Sequence, residues 1–244
     1  MTGVRQMPDS RRPKIIVLDD DPTGSQTVHS CLLLTRWDPE TLRMGLEDDS
    51  PLFFVLTNTR SVSPERAAAI TREVCRNLSG PLEEYSGPWM VVSRSDSTLR
   101  GHYPVETDVL ADELGPFDAH FMTPAFFEGG RITRGGTHYL VRDGGEIPAH
   151  ETEFAKDSVF GYSTAYLPAY VEEKTAGGIR AEDVIRFPTS LSDEEMLALL
   201  RDLSGNVCCA VDAETQEEMD RFARLVLRVA AEGKRFLFRS AASL

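Results

Sequence analysis

Short apolar segments alternate with amphipathic ones along most of this chain. Residues 14–18 (KIIVL) are almost wholly apolar and are followed at once by acidic residues, which is typical of a strand buried on both faces of a parallel sheet. Residues 64–78 instead place an apolar side chain at every third or fourth position behind Ser63 and Pro64. This spacing predicts a helix with a serine N-cap.

The same two patterns recur to the end of the chain. They predict further strands at 31–34, 52–57, 89–92, 119–122, 184–187, 206–211 and 235–238, and further helices at 104–114, 168–175, 192–203 and 214–231. Strands that alternate with helices indicate an α/β fold of three layers, in which a mostly parallel sheet has helices on both faces. In such sheets, ligands bind outside the carboxyl ends of the strands.

Two segments depart from this alternation. Residues 1–13 are polar and have no apolar stretch behind them, so we expect a disordered leader and not a secretory signal. Residues 126–147 are rich in glycine and predict loops around a short hairpin at 138–141. The expected organisation is therefore a leader at 1–13 followed by a single domain at 14–244.

The charge balance narrows the range of partners. The chain has 26 basic and 39 acidic side chains and a formal net charge of −13, which disfavours nucleic acid, because a phosphate backbone needs lysine and arginine. A small anion remains compatible, since a local basic pocket can lie in an acidic surface. No segment approaches the ~20 apolar residues of a membrane span, and the cysteines lack metal-type spacing. We expect a cytoplasmic protein without a membrane or nucleic-acid partner.

Three adjacent aspartates follow the first predicted strand. Asp19, Asp20 and Asp21 repel one another when ionised, so a cation, a substrate hydroxyl or a basic side chain should offset their charge. A solvated acidic turn is the simpler alternative. Because the aspartates come directly after a buried strand, at the edge where parallel sheets bind ligands, we interpret them as part of a binding site.

Arginines and hydroxyls follow two further apolar strands. Arg60 ends the segment TNTR, and Arg100 lies within the segment SRSDSTLRGH. Either guanidinium could hold a carboxylate through two parallel hydrogen bonds, although a surface ion pair would explain each arginine alone. The second segment also supplies both donors and acceptors, as a polyol requires. Its polar candidates are Ser95, Asp96, Ser97 and Thr98.

A glycine pair precedes a third arginine, Arg131. The pair, Gly129 and Gly130, could let the backbone approach an anion closely, and a plain surface loop is an equally good interpretation. His102 follows the second arginine segment and could be near the same site. The other histidines are scattered without metal-type spacing, and we interpret them as structural.

Together, these motifs resemble those of the four-carbon acid sugar kinase family. The matching motifs are DDDPTG at 19–24, TNTR at 57–60, SDSTLRGH at 95–102, PAF at 124–126, GR at 130–131, ETEF at 151–154, VDAET at 211–215 and RSAAS at 239–243. They occur in order through nearly the whole chain. Any one of them is weak, but the ordered set is specific.

The resemblance implies a reaction and a domain arrangement. Members of this family transfer the γ-phosphoryl group of ATP, with Mg²⁺, to a hydroxyl of a tetronate or 3-oxo-tetronate, and their C-terminal ATP-binding domain follows just after the RSAAS segment. By this resemblance, 14–244 is the sugar-acid-binding N-terminal domain and the ATP-binding domain is absent. We therefore expect the chain alone to be inactive and to bind neither ATP nor Mg²⁺. A separate nucleotide-binding domain and a homodimer are the partners to consider.

The resemblance also implies roles for the site residues. Phosphoryl transfer depends on positioning and charge neutralisation more than on covalent chemistry. Asp20 would be the catalytic acid that orients or deprotonates the accepting hydroxyl, with Asp19 or Asp21 as substitutes, and Arg60 and Arg100 would hold the carboxylate. The residues expected to contact the substrate are Asp19, Asp21, Arg60, Ser95, Asp96, Ser97, Thr98, Arg100 and Gly101.

Two other functions are compatible with the same residues. Asp19, Asp21 and Thr23 behind an apolar strand also look like the nucleophile motif of haloacid-dehalogenase-type phosphatases. That mechanism needs a later lysine and a pair of acids at a strand end for magnesium, but Ala213 follows Asp212 where the second acid would stand. A non-catalytic module that only binds a sugar acid is the second alternative. The motifs do not distinguish one sugar acid or stereoisomer from another.

Overall fold

The computed structural model describes residues 12–23, 29–142 and 145–244. The predicted leader at 1–13 lies outside the described residues, except for its last two positions. Strands and helices alternate along the chain. The strands are β1 (Lys14–Asp19), β2 (Leu33–Leu34), β3 (Leu52–Leu56), β4 (Trp89–Arg94), β5 (Ala119–Thr123), β6 (Arg131–Arg134), β7 (Thr137–Arg142), β8 (Gly145–Pro148), β9 (Ile185–Phe187), β10 (Val207–Val211) and β11 (Phe236–Ser240). The helices are α1 (Pro39–Glu47), α2 (Pro64–Glu84), α3 (Val105–Leu114), α4 (Leu167–Lys174), α5 (Asp193–Asp202) and α6 (Gln216–Ala230).

Within the described residues, eight strands form one sheet in the order β2-β3-β1-β4-β11-β5-β10-β9, and each neighbouring pair is parallel. This architecture confirms the predicted α/β fold. The chain passes from β1 to β3 on one side and then to β4 on the other, so a topological switch point lies between β1 and β4. Ligands of open parallel sheets bind at such a point, outside the carboxyl ends of the strands.

Helices cover both faces of this sheet. Successive strand residues point to opposite faces, and on each face they pack into a separate apolar cluster with helices. Ile16 and Phe53 belong to a cluster that includes buried residues of α1, α2 and α3. Val17 and Phe54, one position later, belong to a cluster with buried residues of α5 and α6. The predicted three layers are therefore confirmed. No helix in the described ranges combines the length with the apolar character of a membrane span.

A second, antiparallel sheet lies where loops around a short hairpin at 138–141 are predicted. Residues 138–141 belong to a single strand, β7, and strands β6 and β8 on either side of it are not predicted. The strand order of this sheet is β6-β7-β8, and the turn between the first two strands is formed by Gly135 and Gly136, whose φ angles are 59° and 78°. Two consecutive residues with positive φ match the twist of paired strands, which is why glycine is needed there. Leu140 and Tyr170 join β7 and α4 to a third apolar cluster, which packs the small sheet against β5 and β10.

Helices α1 and α2 and strand β2 also differ from the prediction. Helix α1 is not predicted, yet its start is local: Asp38 precedes Pro39, and its side chain accepts a hydrogen bond from the backbone nitrogen of Thr41 at 3.0 Å. Helix α2 continues past the predicted end to Glu84, because Leu82 extends its buried face. Strand β2 has only 2 residues, since it lies at the edge of the sheet and pairs with β3 alone.

Candidate functional site

The aspartates at the end of β1 are neutralised by arginines at or beyond the ends of the neighbouring strands. Oδ1 of Asp20 accepts a hydrogen bond from Nη2 of Arg60 at 2.7 Å, and the two side chains are 2% and 21% exposed. Oδ2 of Asp20 accepts from the hydroxyl of Ser95. Asp19 pairs with Arg94, at 3.4 Å between Oδ1 and Nη1. The charge of these carboxylates is therefore offset by basic side chains, one after β3 and one at the end of β4.

One carboxylate oxygen of Asp19 has no partner among the described residues. Within the described part of the chain, its Oδ2 is buried and accepts no hydrogen bond. Burial raises the pKa of Asp19 to about 6; the charge of Arg94 opposes this rise, and that of Asp20 adds to it. A hydroxyl donor or a proton at this position would satisfy the buried acceptor.

Asp21 lies nearer to solvent than the other two aspartates. Its side chain is 27% exposed, and Oδ2 faces Nη1 of Arg60 at 3.6 Å. Burial acts to raise the pKa of Asp21, but hydrogen bonds from Thr23 outweigh it, so that the pKa lies below its ordinary value. Asp21 therefore presents a charged carboxylate to solvent. In the part of the chain that the structure describes, no group of three or more His, Cys, Asp or Glu side chains is arranged to hold a metal ion.

A second layer of charged groups lies at the same strand ends. Glu106, in the first turn of α3, accepts a hydrogen bond from the hydroxyl of Thr59 at 2.5 Å and faces Nη1 of Arg239 at 3.4 Å. Arg239, in β11, also donates to the hydroxyl of Ser93 and to the backbone oxygen of Arg100, at 3.3 Å each. Burial raises the pKa of Glu106, and the charge of Arg239 opposes the rise. This layer ties together the carboxyl ends of β3, β4 and β11.

The polar side chains of the loop after β4 bond to one another. Nε of Arg100 donates to Oδ2 of Asp96 at 2.7 Å, and the hydroxyl of Thr98 donates to the same oxygen. Nη1 of Arg100 also faces Asp157 at 3.8 Å. Both arginines predicted to hold a ligand carboxylate, Arg60 and Arg100, are thus engaged by aspartates of the protein itself.

Three buried side chains from distant parts of the chain hold the backbone of this loop. Each donates a hydrogen bond to a carbonyl oxygen of the loop. The donors and acceptors are His138 and Ser97 (2.7 Å), Tyr162 and Thr98 (2.8 Å), and Tyr170 and Leu99 (2.8 Å). The loop is therefore fixed in place by β7, by α4 and by the segment between them.

Gly101 lets this loop close onto the charged layer. Its φ is +118°, in the region that L side chains rarely adopt. A Cβ at this position would collide with the hydroxyl of Ser95 and with Nη2 of Arg239, and it would lie 3.0 Å from Oδ2 of Asp20. Because it has no side chain, Gly101 thus allows the loop backbone to approach Ser95, Arg239 and Asp20 closely.

The structure brings the predicted strand-end residues into one cluster and adds two more. Arg239 belongs to the RSAAS motif, so the sequence marks it without suggesting a role. Glu106 has no distinctive pattern, because an acid in the first turn of a helix is common, and only its burial singles it out. His102 supports the segment after β3, since its Nε2 lies 3.0 Å from the carbonyl oxygens of Thr59 and Val62.

Comparison with known proteins identifies one family model that covers nearly all of the described chain. A model described as a sugar-binding N-terminal domain matches residues 15–244. The D-erythronate kinase of Heliobacterium modesticaldum is 29% identical over 220 residues, which are 86% of this chain and 47% of that kinase. The D-threonate kinase of Bordetella bronchiseptica is 27% identical over 164 residues, 64% of this chain and 38% of that kinase. The chain thus spans less than half the length of either relative.

A solved structure shares the fold. It is a crystal structure of a Bordetella bronchiseptica protein, described as a domain of unknown function with bound citrate and as a domain-swapped dimer. Its TM-score is 0.67 at 24% identity, and the match covers 95% of this chain and 55% of that chain. The similarity supports the arrangement of strands and helices along nearly all of the chain.

Proposed function

Because the chain belongs to the family of sugar-binding N-terminal domains, we propose that it binds a four-carbon sugar acid and is the substrate-binding domain of an ATP-dependent kinase. The observation that carries the proposal is the cluster of Asp20, Arg60 and Ser95 at the switch point between β1 and β4. Parallel sheets bind their ligands at this point. The two related kinases are named for four-carbon acids, which supports a ligand of that size.

The chemistry of the cluster suits a small polyhydroxy acid. Carboxylates accept hydrogen bonds from sugar hydroxyls, and hydroxyl side chains both donate and accept. The available acceptors are Oδ2 of Asp19, which has no partner among the described residues, and the partly exposed carboxylate of Asp21. We propose that the loop after β4 forms the adjacent wall, through Ser95, Asp96, Ser97, Thr98 and Gly101. We propose a tetronate or 3-oxo-tetronate as the substrate.

Each acid in the proposal has a distinct task. Asp20 orients the accepting hydroxyl, since each of its oxygens can accept a second hydrogen bond while Arg60 holds Oδ1 at 2.7 Å. Asp19 is the better proton acceptor, because burial raises its pKa to about 6, close to neutral pH. Arg100 orients Asp96 as Arg60 orients Asp20, through a hydrogen bond of 2.7 Å from Nε to Oδ2. A rigid cluster of this kind supplies the positioning on which phosphoryl transfer depends.

ATP and Mg²⁺ would serve the complete enzyme as the phosphoryl donor and its counter-ion. We propose that they bind to a nucleotide-binding domain outside residues 15–244, the range that the sugar-binding model matches. The side chains of this chain would then bind and orient the sugar acid, and this chain alone would bind no ATP.

A haloacid-dehalogenase-type phosphatase gains no support from the order of the strands. Asp212 follows β10, which lies four strands from β1, a separation of roughly 19 Å at the usual strand spacing. Its carboxylate accepts from the backbone nitrogen of Gly136 at 2.8 Å and pairs with Arg186 at 3.4 Å. Asp212 is therefore too far from Asp19 to share a magnesium ion with it.

Calorimetric titration of this chain tests the proposal. The ligands are D-erythronate, D-threonate and, in parallel, MgATP. We expect one of the tetronates to bind with a one-to-one stoichiometry and MgATP to give no binding heat. Asp20→Asn should weaken tetronate binding about tenfold or more. Asp202→Asn, at an exposed position at the end of α5, is the control that should leave the affinity unchanged.

Two results would contradict the proposal: MgATP binding alone, or no binding of any tetronate. A sugar-acid module without catalysis would give the same titration as the substrate half of a kinase. Transfer of phosphate to the bound acid, measured after a nucleotide-binding domain is supplied, separates these two functions. Transfer supports the kinase, and binding without transfer supports the module.

A further inference from the structure

The arginines that the sequence predicts as carboxylate ligands are neutralised by the protein itself. Arg60 lies 2.7 Å from Asp20, and Arg100 lies 2.7 Å from Asp96. The arginines at the end of β4 and in β11 are also paired with buried acids. A guanidinium whose charge is balanced by a neighbouring carboxylate attracts a further anion only weakly. Binding of the carboxylate of a sugar acid therefore requires a different cation at this edge of the sheet.

Arg131, the first residue of β6, differs from these arginines. Among the residues that the structure describes, no carboxylate lies at ion-pairing distance from it. Its Nη1 donates to the carbonyl oxygen of Gly129, and its Nε is buried without a hydrogen-bond partner. The guanidinium lies 5.8 Å from the centre of the Phe126 ring. A ring and a carbonyl group thus hold this cation in place, and no acid of the described ranges contacts it to cancel its charge.

Arg131 lies close to the candidate site. Its backbone pairs with that of Phe126, just beyond the end of β5, with nitrogen-to-oxygen distances of 3.0 and 2.8 Å. Burial lowers the pKa of Arg131, and the charge of Asp96 opposes this shift. Strand β6 also pairs with β7, whose His138 donates to the carbonyl oxygen of Ser97, the residue after Asp96. Asp96 lines a small cavity together with Pro124.

We propose that Arg131 binds the carboxylate of the sugar acid, an inference that rests on the proposed function. Nε and Nη2 form one edge of the guanidinium, and within the described residues neither donates a hydrogen bond. That edge matches the two parallel acceptors of a carboxylate. Occupying it satisfies a buried donor that otherwise has no partner, while the ring of Phe126 supports the face of the cation.

The glycines before this arginine keep the space that it needs. A Cβ on Gly129 would lie 2.5 Å from Nη1 of Arg131 and 2.5 Å from the ring of Phe126. A side chain at position 129 would therefore push the guanidinium aside. Gly130 has a φ of +71°, which favours glycine, and it turns the backbone into β6. Glycine is thus needed at position 129 to leave room for the guanidinium of Arg131, and at position 130 for the backbone turn into β6.

Paired titrations with a tetronate and its neutral polyol test this inference, because the two ligands differ in the carboxylate. The pairs are D-erythronate with erythritol and D-threonate with D-threitol. We expect wild type to prefer the acid by about tenfold or more, and Arg131→Ala to lose that preference by weakening acid binding alone. Arg131→Lys keeps the positive charge but loses the planar guanidinium that can bind both carboxylate oxygens. Its affinity for the acid should therefore lie between those of wild type and Arg131→Ala.

Arg134→Ala is the matched control. Arg134 lies on the same strand, and its substitution by alanine changes the net charge by the same amount. Its guanidinium is about half exposed and pairs with Glu146 at 2.8 Å. The affinity of Arg134→Ala for the acid should equal that of wild type. Thermal melting of every variant shows whether it is folded.

Equal affinity of wild type for acid and polyol would overturn the inference, and so would unchanged acid affinity in folded Arg131→Ala. Both results would leave the proposed function intact. If wild type binds neither ligand, the inference and the proposed function both fail. If Arg131→Ala does not fold, Gly129→Ala decides, because the added Cβ displaces the guanidinium. Acid affinity in Gly129→Ala should fall about tenfold, and an unchanged value would overturn the inference.

Discussion

Glu106 and Arg239 form an ion pair, with 3.4 Å between Oε2 and Nη1, and their side chains are only 6% and 7% exposed. Arg239 also donates to the carbonyl oxygen of Arg100, while Glu106 accepts from the hydroxyl of Thr59. The pair therefore connects the segment after β3 to the loop after β4. The shape of the candidate site depends on this buried contact.

Removing the acid of this pair should destabilise the fold strongly. In Glu106→Gln the charge of Arg239 is left buried and uncompensated, and we expect the free energy of unfolding to fall by about 3–5 kcal/mol. Glu113→Gln is the control on the same helix. Its partners, Arg72 and Arg76, lie at 3.1 and 3.3 Å on the surface, so it should cost less than about 1 kcal/mol. Urea denaturation measures both losses, and equal values would contradict the prediction.

A methyl group at position 101 should disturb the site as well as the backbone. Gly101 and Gly233 have similar φ angles, +118° and +106°, but only a Cβ at 101 would meet other atoms, Ser95 and Arg239 among them. Gly233→Ala should therefore cost about 1–3 kcal/mol from backbone strain alone. Gly101→Ala should cost about 1–3 kcal/mol more from overpacking and should also weaken tetronate binding. Thermal denaturation and titration of the two variants test this difference.

His138 should make the stability of the protein depend on acid pH. Burial lowers the pKa of this histidine to about 4, and its Nε2 donates to the carbonyl oxygen of Ser97 in the neutral form. The unfolded chain binds this proton near pH 6.5, so the folded state is favoured above that pH. The advantage is lost as pH falls from 6.5 to 4 and amounts to about 3 kcal/mol.

The measurement is urea denaturation of wild type and His138→Gln at pH 7 and pH 4. Wild type should lose about 3 kcal/mol more than the variant over this range. His29→Gln, at an exposed position, should behave as wild type does. Parallel losses in wild type and His138→Gln would show that this histidine does not titrate in the expected way.

Arg100 and Arg131 should differ in the ligands that they affect. Arg100 holds Asp96, which faces the substrate hydroxyls in the proposed site, so Arg100→Ala should weaken binding of both the tetronate and its neutral polyol. We expect a loss on the order of 2 kcal/mol for the acid. Unchanged affinity would remove Arg100 from the site. An effect confined to the acid would instead assign the carboxylate to Arg100 and not to Arg131.

Local patterns in the sequence were sufficient for the fold class and for the edge of the sheet where the candidate site lies. The apolar runs that became β1, β3 and β4 set Asp19, Arg60 and Ser95 at or just beyond their carboxyl ends, and parallel strands bring these ends to one side. The start of α5 is equally local, since Ser192 and Glu195 form the capping box that their spacing predicts. Each of these features depends on residues that are close together in the chain.

The tertiary structure alone decided which strand ends are neighbours and which charges cancel. Strand β11 comes from the end of the chain and lies between β4 and β5, and this order brings Arg239 to Glu106 and separates Asp212 from Asp19. It also decides that Arg60 is neutralised by an aspartate. The physical reason is range: an ion pair acts over a few ångströms, and the packing of the cores determines which distant residues come that close. No local propensity encodes that packing.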